Sequence, residues 1–364
     1  EYLKIKGGFM RVCIYLKGTE PELSFTSEEH IFPAGIGGIQ KLPQGYVSHE
    51  CNNAFSALEL EFMRNSLIAF PRQFYGPGKR GNLSPKKATK SNVTLMSSRD
   101  APDLIELGYI SLGRPYVIPQ LKIDINGTVH FISDRSFGEY KKQFKDFVKK
   151  LPKFDYKYIL HEDERFGKGD FIIGYHDGKW HVALSNKALI SEIDGFIEKI
   201  LSQKVFENGT PQYATVQPKV HQTIQMDDRY FRTCAKIVFN YLAFTKGQEF
   251  VLNERFDPLR DWIVNGGENE FATLLARENN RFEMFSPIPF PELSHRLIIT
   301  KIGTTLIGYI SFYGASFETV IKLCTNFEDS FELEGYICDW QKRKEYSLND
   351  FLNALHDKNE SNLM

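Results

Sequence analysis

A short stretch near the N-terminus breaks regular structure and limits the possible folds more than any other feature. Residues 11–16 and 29–32 have the apolar character of short strands, and from residue 50 to about 64 apolar side chains recur at helical spacing. Between them, a proline and three glycines favour a loop. The loop-forming residues are Pro33, Gly35, Gly37 and Gly38. The sequence therefore predicts the order strand, loop, helix.

Dipeptides that favour tight turns occur at two places in the middle of the chain. We predict strands over residues 104–133, with a tight turn at Asn126-Gly127, and a hairpin over residues 170–184 that turns at Asp177-Gly178. Apolar residues at helical spacing predict helices over residues 137–151 and 188–201.

Capping residues mark the helices of the C-terminal part. Asp227 and the pair Asp257-Pro258 are each expected to begin a helix, and Ser347 with Asp350 resembles a capping box. Residues 297–312 are rich in strand-forming residues. These patterns predict an α+β protein. The predicted divisions are an N-terminal module with a basic arm (10–100), a connecting β-hairpin and helix (101–155), and a C-terminal α+β domain (156–364).

Composition excludes several classes of protein. With 45 basic and 46 acidic residues the net charge is −1, so contact with nucleic acid requires a local basic patch. No apolar run has the length needed to span a bilayer, so we expect no membrane association. Five scattered cysteines are too few for a disulfide framework. We therefore expect a cytoplasmic protein.

Side chains suited to phosphodiester chemistry cluster around the predicted loop. Glu29 and Asn52 offer oxygen atoms of the kind that Mg²⁺ prefers, and His30 has an ordinary pKa near neutrality, which suits a general base. Because neighbouring residues of a strand point to opposite faces, Glu29 and His30 need a twist or bulge to serve one site.

The stretch from Arg11 to Glu61 resembles the HNH endonuclease family. That family carries an Asp/Glu-His-Ile-x-Pro strand, a Gly-Gly loop and a helix that starts with Cys and Asn or His, and this chain has Glu29-His30-Ile31-Phe32-Pro33, Gly37-Gly38 and Cys51-Asn52. The resemblance implies a ββα-metal fold. It also implies His30 as general base and Glu29 and Asn52 as ligands of a divalent metal, Mg²⁺ or Mn²⁺.

The chain departs from the family pattern in two ways. Many members hold a structural zinc with four cysteines, whereas only Cys13 and Cys51 remain here. We therefore expect no Cys₄ zinc, although His49 could add a third ligand, and we predict a substitute apolar core around Leu16. The middle Asn that orients the base has no clear counterpart, and Gln44 is the best substitute.

Several of these residues have simpler interpretations. Asn52 could cap the helix, and Asn53 competes with it for either role. Glu59 is expected either to be solvated or to support the site from behind the metal ligands. Cys13 and Cys51 are expected to be buried as small apolar side chains.

A basic arm follows the predicted helix. Between residues 71 and 99 there are seven basic residues and no acidic one. Such an arm can contact the phosphates of a duplex or can simply be solvated. For phosphate contacts we select Arg72, Lys79 and Arg80. The glycines around Lys79 lack the Gly-Lys-Ser/Thr ending of a nucleotide-binding P-loop.

The resemblance implies a metal-dependent HNH-type endonuclease that cuts DNA, with double-stranded DNA as substrate and bacterial restriction or anti-phage defence as its setting. One alternative is a degenerate HNH fold that binds nucleic acid without cutting it. Another is a nuclease switched by a ligand or partner protein through the C-terminal domain, which is otherwise expected to confer specificity or to form a homodimer.

Overall fold

The computed structural model describes residues 11–98, 104–124, 126–154, 157–167, 169–187, 218–220, 226–275, 288–314 and 317–361, together with 193, 195–198 and 202. Helices and β-sheets are both present, which confirms the α+β class. The chain forms two compact units. The first comprises Glu1–Thr89 and Ile224–Met364, and the second comprises Lys90–Thr223.

The predicted division of the chain is wrong about which parts fold together. The N-terminal module up to Thr89 and the residues from 224 onward belong to one unit. The rest of that module and the strands predicted for the start of the C-terminal domain lie in the other. Buried contacts between residues more than 200 positions apart produce this arrangement. The hydroxyl of Tyr15, for example, donates to Oδ1 of Asn240 over 2.6 Å. Hydrophobic periodicity carries no information about such pairings.

The first unit contains most of the helices. Those of its described residues are α1 (His49–Asn65), α2 (Ala69–Tyr75), α4 (Asp228–Lys246), α5 (Gln248–Val251), α6 (Asp257–Asn265) and α7 (Leu348–Ser361), and α3 (Tyr140–Val148) lies in the second unit. The predicted caps are confirmed at two of them. Asp227 accepts from the backbone N–H of Arg229 at the start of α4, and Ser347 and Asp350 form the capping box of α7.

A six-stranded antiparallel sheet supports the first unit. Its strands are β10 (Ala272–Leu274), β11 (His295–Ile302), β12 (Thr305–Phe312), β13 (Phe317–Cys324), β14 (Glu334–Asp339) and β15 (Lys344–Ser347), in the order β10-β13-β12-β11-β14-β15. Helix α4 packs between this sheet and α1. Gly308 permits the close approach, because a Cβ there would lie 2.3 Å from Cγ1 of Val238. Helix α4 is therefore the central element of the core.

The described residues of the second unit form two sheets. Their strands are β1 (Thr94–Ser98), β2 (Ile105–Ser111), β3 (Arg114–Val117), β4 (Gln120–Ile123), β5 (Val129–Ile132), β6 (Tyr158–Glu162), β7 (Phe171–His176), β8 (Lys179–Leu184) and β9 (Pro218–Val220). One sheet has the strand order β3-β2-β1-β9 and the other has the order β5-β4-β7-β8-β6. The turns predicted at Asn126-Gly127 and Asp177-Gly178 are confirmed as the β4–β5 and β7–β8 connections. Most of the helix predicted over 188–201 lies outside the described residues.

The N-terminal strands are shorter than the sequence predicts. Residues 11–16 contribute a single antiparallel bridge between Val12 and Thr19, and the second predicted strand contributes one between His30 and Lys41. The basic arm is also not wholly a loop, since it includes most of α2, two short 3-10 helices and β1. Glycine and proline are frequent in the first 50 residues, and they limit the ladder to isolated bridges.

Residue His295 makes the first unit sensitive to acid. It is fully buried, its Nε2 donates to the carbonyl of Ile36 over 3.0 Å, and its Nδ1 accepts from the N–H of Tyr313 over 3.2 Å. Burial lowers the pKa of His295 to about 3. The unfolded chain, with an ordinary histidine pKa of 6.5, therefore binds a proton before the folded one does. The contribution of His295 to the free energy of unfolding is therefore fully present above pH 6.5. It is lost progressively as the pH falls toward 3.

We expect the free energy of unfolding to fall by roughly 3 kcal/mol between pH 7 and pH 4 through this residue. Urea unfolding at several pH values measures the loss. His295→Gln keeps a donor and an acceptor without a titrating ring, so its pH dependence should be flatter. The same acid dependence in that variant would contradict the assignment.

Among the described residues, none of the helices combines the length and apolar character of a membrane span.

Candidate active site

The predicted site is built on a bridge between two extended segments. The N–H of Leu42 donates to the carbonyl of Glu29 over 2.8 Å, and the N–H of Ile31 donates to the carbonyl of Gln40 over 3.0 Å. These bonds fix His30 opposite Lys41. The two segments hold Glu29 and His30 without forming a regular strand, so the strict alternation of faces that a longer strand would impose does not apply.

Helix α1 begins beside this bridge. Its N-cap is Ser48, whose hydroxyl accepts from the N–H of Cys51 over 3.3 Å, so the alternative in which Asn52 caps the helix is wrong. Instead, Nδ2 of Asn52 donates to Oγ of Ser27 over 3.1 Å and to the carbonyl of Glu28 over 3.3 Å. Asn52 therefore ties the first turn of α1 to the segment that precedes His30.

The imidazole of His30 is half-buried among charged groups. Burial lowers its pKa below the ordinary value of 6.5, and the positive charges of Lys41 and Lys236 lower the pKa further. The negative charges of Glu59 and Glu28 oppose this shift only in part. The neutral ring is therefore the dominant form at neutral pH. A neutral imidazole can accept a proton, which is the property that a general base requires.

The strongest electrostatic feature of the site was not predicted from the sequence. Lys236, in the middle of α4, is fully buried, and its ammonium forms ion pairs with the carboxylates of both Glu29 and Glu59. Burial alone would lower the pKa of Lys236, but the two carboxylates outweigh it and raise the pKa above its ordinary value. The lysine is therefore charged. Its only sequence signal is a basic residue between the apolar neighbours Ala235 and Ile237.

The same helix also fixes the backbone of the base. Asn240 lies one turn after Lys236, and its Nδ2 donates to the carbonyl of His30 over 2.9 Å. Its Oδ1 accepts from the hydroxyl of Tyr15, so both ends of the amide are used. Lys236 and Asn240 thus hold Glu29 and His30 from one face of α4. Neither contact can be inferred from spacing, because more than 200 residues separate the partners.

The carboxylate of Glu29 is not an open ligand for a divalent metal in this arrangement. The Glu29 side chain is 5% exposed and forms an ion pair with Lys236. Nδ2 of Asn52 is used in its bonds to Ser27 and Glu28. A cation already occupies the position beside Glu29, so the prediction of Glu29 as an open metal ligand needs correction.

The residues predicted to support the base have other partners. Gln44 donates to the carbonyl of Phe25 over 3.3 Å, and Nδ2 of Asn53 lies 2.9 Å from Nε2 of His49, one turn earlier on α1. These contacts hold the loop before α1 and the exposed side of its first turn. Glu59 forms an ion pair with Lys236. Of the two expectations for Glu59, a supporting role at the site therefore describes it better than a solvated position on the helix surface.

Arg72 is not available to a phosphate, which corrects its selection as a DNA contact. It is 6% exposed, and its guanidinium donates to the carbonyls of Gly35, Met63 and Gly78. These bonds attach α2 to the loop that follows His30. Lys79 and Arg80, in contrast, are exposed, as are Lys86 and Lys87 farther along the arm. A solvent-accessible basic segment therefore remains at residues 79–87.

The two N-terminal cysteines are buried together. The sulfur of Cys13 accepts from the N–H of Ser48 over 3.4 Å, and a hydrogen bond from Cys51 lowers the pKa of Cys13 to about 5. Burial of both agrees with the expected apolar packing. The substitute core around Leu16 is wrong, because Leu16 is 43% exposed. Phe25, Val47 and Phe55 belong to the buried cluster that includes these cysteines.

No protein-family model, curated protein sequence or solved structure matches this chain.

Proposed function

We propose that this chain is an HNH-type endonuclease that hydrolyses phosphodiester bonds of DNA. The observation that carries the proposal is His30. Its half-buried imidazole has a lowered pKa, and it lies on a short bridge that Asn52 ties to the first turn of α1. The order of bridge, glycine loop and helix agrees with the resemblance of residues 11–61 to that family. We infer a role in restriction or anti-phage defence from the resemblance alone.

In the proposed reaction, water attacks the phosphorus of a phosphodiester. His30 accepts the proton of that water at a ring nitrogen, the bond from phosphorus to the leaving oxygen breaks, and the leaving oxygen takes up a proton from solvent water to become a hydroxyl. Asn240 and the Glu29–Lys236 pair hold His30 and its neighbour in position. No step of this reaction passes through a metal, because Lys236 is paired with the carboxylate predicted to hold one.

The proposed base predicts the pH dependence of cleavage. Because the pKa of His30 lies below 6.5, the neutral ring persists at pH 6.5, and the rate should fall only at a lower pH. Initial rates of plasmid nicking between pH 5 and pH 8 test this. A rate that already falls between pH 8 and pH 7 would contradict the assignment of this histidine as the base.

The exposed basic segment predicts how DNA binding depends on salt. Each phosphate contact contributes about −0.9 to the slope of log affinity against log salt concentration. Lys79→Ala and Arg80→Ala should therefore each make the slope shallower by about 1, uniformly across DNA sequences. Fluorescence anisotropy at several salt concentrations measures it. Lys17→Ala is the control, since Lys17 is exposed but already paired with Asp257. An unchanged slope would show that the arm is only solvated.

A second candidate function is nucleic-acid binding without hydrolysis. The pairing of Glu29 with Lys236 favours it, because the resemblance assigns that carboxylate to a metal and Lys236 occupies it instead. Salt-dependent DNA binding that is unchanged by His30→Ala, with no cleavage by the intact chain, would support this candidate. Clear turnover would exclude it.

A further inference from the structure

The buried cluster in the proposed site contains two carboxylates and one ammonium. Lys236 is 0% exposed, Glu29 5% and Glu59 18%, and one oxygen of each carboxylate contacts the same Nζ. Nζ also lies 5.4 Å from the centre of the Phe55 ring, within the range of a cation–π interaction. Three elements therefore meet at this single positive charge, namely the segment before the glycine loop, α1 and α4.

The cluster requires a cation. Buried carboxylates are unfavourable unless a partner compensates their charge, and here two of them share one partner. A proton or a more highly charged cation would balance the cluster better than Lys236 alone does.

We propose that Lys236 is the resident cation of the Glu29–Glu59 pair and that a divalent ion binds there only when Lys236 is displaced or removed. A Mg²⁺ ion requires oxygen ligands about 2.0–2.1 Å away in octahedral geometry. With an ammonium on one oxygen of each carboxylate, such an ion would face a like charge in a poorly screened site. The two cations therefore exclude each other, and by thermodynamic reciprocity each weakens the binding of the other.

This inference rests on the proposed nuclease function for its biological meaning. In such a nuclease, Lys236 would regulate the binding of a metal ion. Its test does not require cleavage. Helix α4 supplies both the lysine and Asn240, which holds the backbone of His30. Displacement of Lys236 would therefore involve the helix that also holds the base.

The experiment measures Mn²⁺ binding to the full chain by the loss of the electron paramagnetic resonance signal of free Mn²⁺. The intact protein should show no binding that depends on Glu29. Lys236→Met should bind one Mn²⁺ at least about tenfold more tightly, equivalent to 1.4 kcal/mol. Adding Glu29→Gln to that variant should remove the gain. Lys246→Met is the matched control, because Lys246 lies on the same helix but pairs with Glu334.

Two results would overturn the inference. One is tight Mn²⁺ binding by the intact protein that is abolished by Glu29→Gln. This result would show that the metal and Lys236 occupy the site together. It can be obtained even if Lys236→Met does not fold. The other is a folded Lys236→Met variant that gains no affinity. A gain in Mn²⁺ affinity without plasmid cleavage by any variant would support the inference while refuting the proposed nuclease, so the two failures are distinguishable.

Discussion

Replacing His30 by alanine is expected to lower the rate of DNA cleavage by about 10²- to 10⁴-fold, the usual contribution of a general base. The imidazole is half-buried and its pKa is lowered, so the intact protein holds a proton acceptor that alanine cannot replace. DNA affinity should change little, because in our proposal the phosphate contacts come from the exposed basic residues at positions 79–87 rather than from His30. Initial rates on supercoiled plasmid, together with anisotropy on a labelled duplex, separate the two effects.

His130→Ala is a suitable control for this variant, since His130 is exposed on β5 in the other compact unit. It should cleave at the rate of the intact protein. Circular dichroism and the melting temperature show whether His30→Ala has kept its fold. Equal rates for His30→Ala and the intact protein would remove His30 from the reaction.

Replacing Lys236 by methionine is expected to cost about 3–5 kcal/mol of unfolding free energy. Methionine fills a similar volume but leaves Glu29 and Glu59 buried around no positive charge. Urea unfolding at pH 7 measures the loss. Lys246→Met should cost about 1 kcal/mol or less, because its ion pair with Glu334 is partly exposed and screened by solvent.

The carboxylates provide an internal check on this prediction. In Lys236→Met, the further change Glu29→Gln should recover part of the lost stability, because it removes one of the two uncompensated charges. A loss for Lys236→Met no larger than that for Lys246→Met would contradict the account of the cluster. So would a double variant that is less stable than Lys236→Met alone.

Local signals in the sequence predict the local structure well. Helix α1, the caps at Asp227 and Ser347, and the turns at Asn126 and Asp177 each depend on a few neighbouring residues, and the structure confirms them. The family resemblance also implies that Asn52 lies near the segment of Glu29 and His30, and its amide contacts Ser27 and Glu28 in that segment. Short-range chemistry is sufficient in these cases.

Long-range contacts could not be predicted in the same way. Nothing near Glu29 indicates that its partner is Lys236, and nothing near Arg72 indicates that three carbonyls surround its guanidinium. A single sequence shows that a residue is charged but not what neutralises it. The resulting errors concern Glu29 as an open ligand, Arg72 as a phosphate contact and the domain boundaries, all of which depend on how distant segments pack.

The most direct test of the central proposal is a plasmid-cleavage assay with the intact chain in Mg²⁺, in Mn²⁺ and in chelator, with His30→Ala and Asn52→Ala beside it. The account predicts that the intact chain converts supercoiled plasmid to nicked and linear forms and that His30→Ala does not. Salt-dependent DNA binding by the intact chain without cleavage under any of these conditions would contradict it and would favour the nucleic-acid-binding candidate.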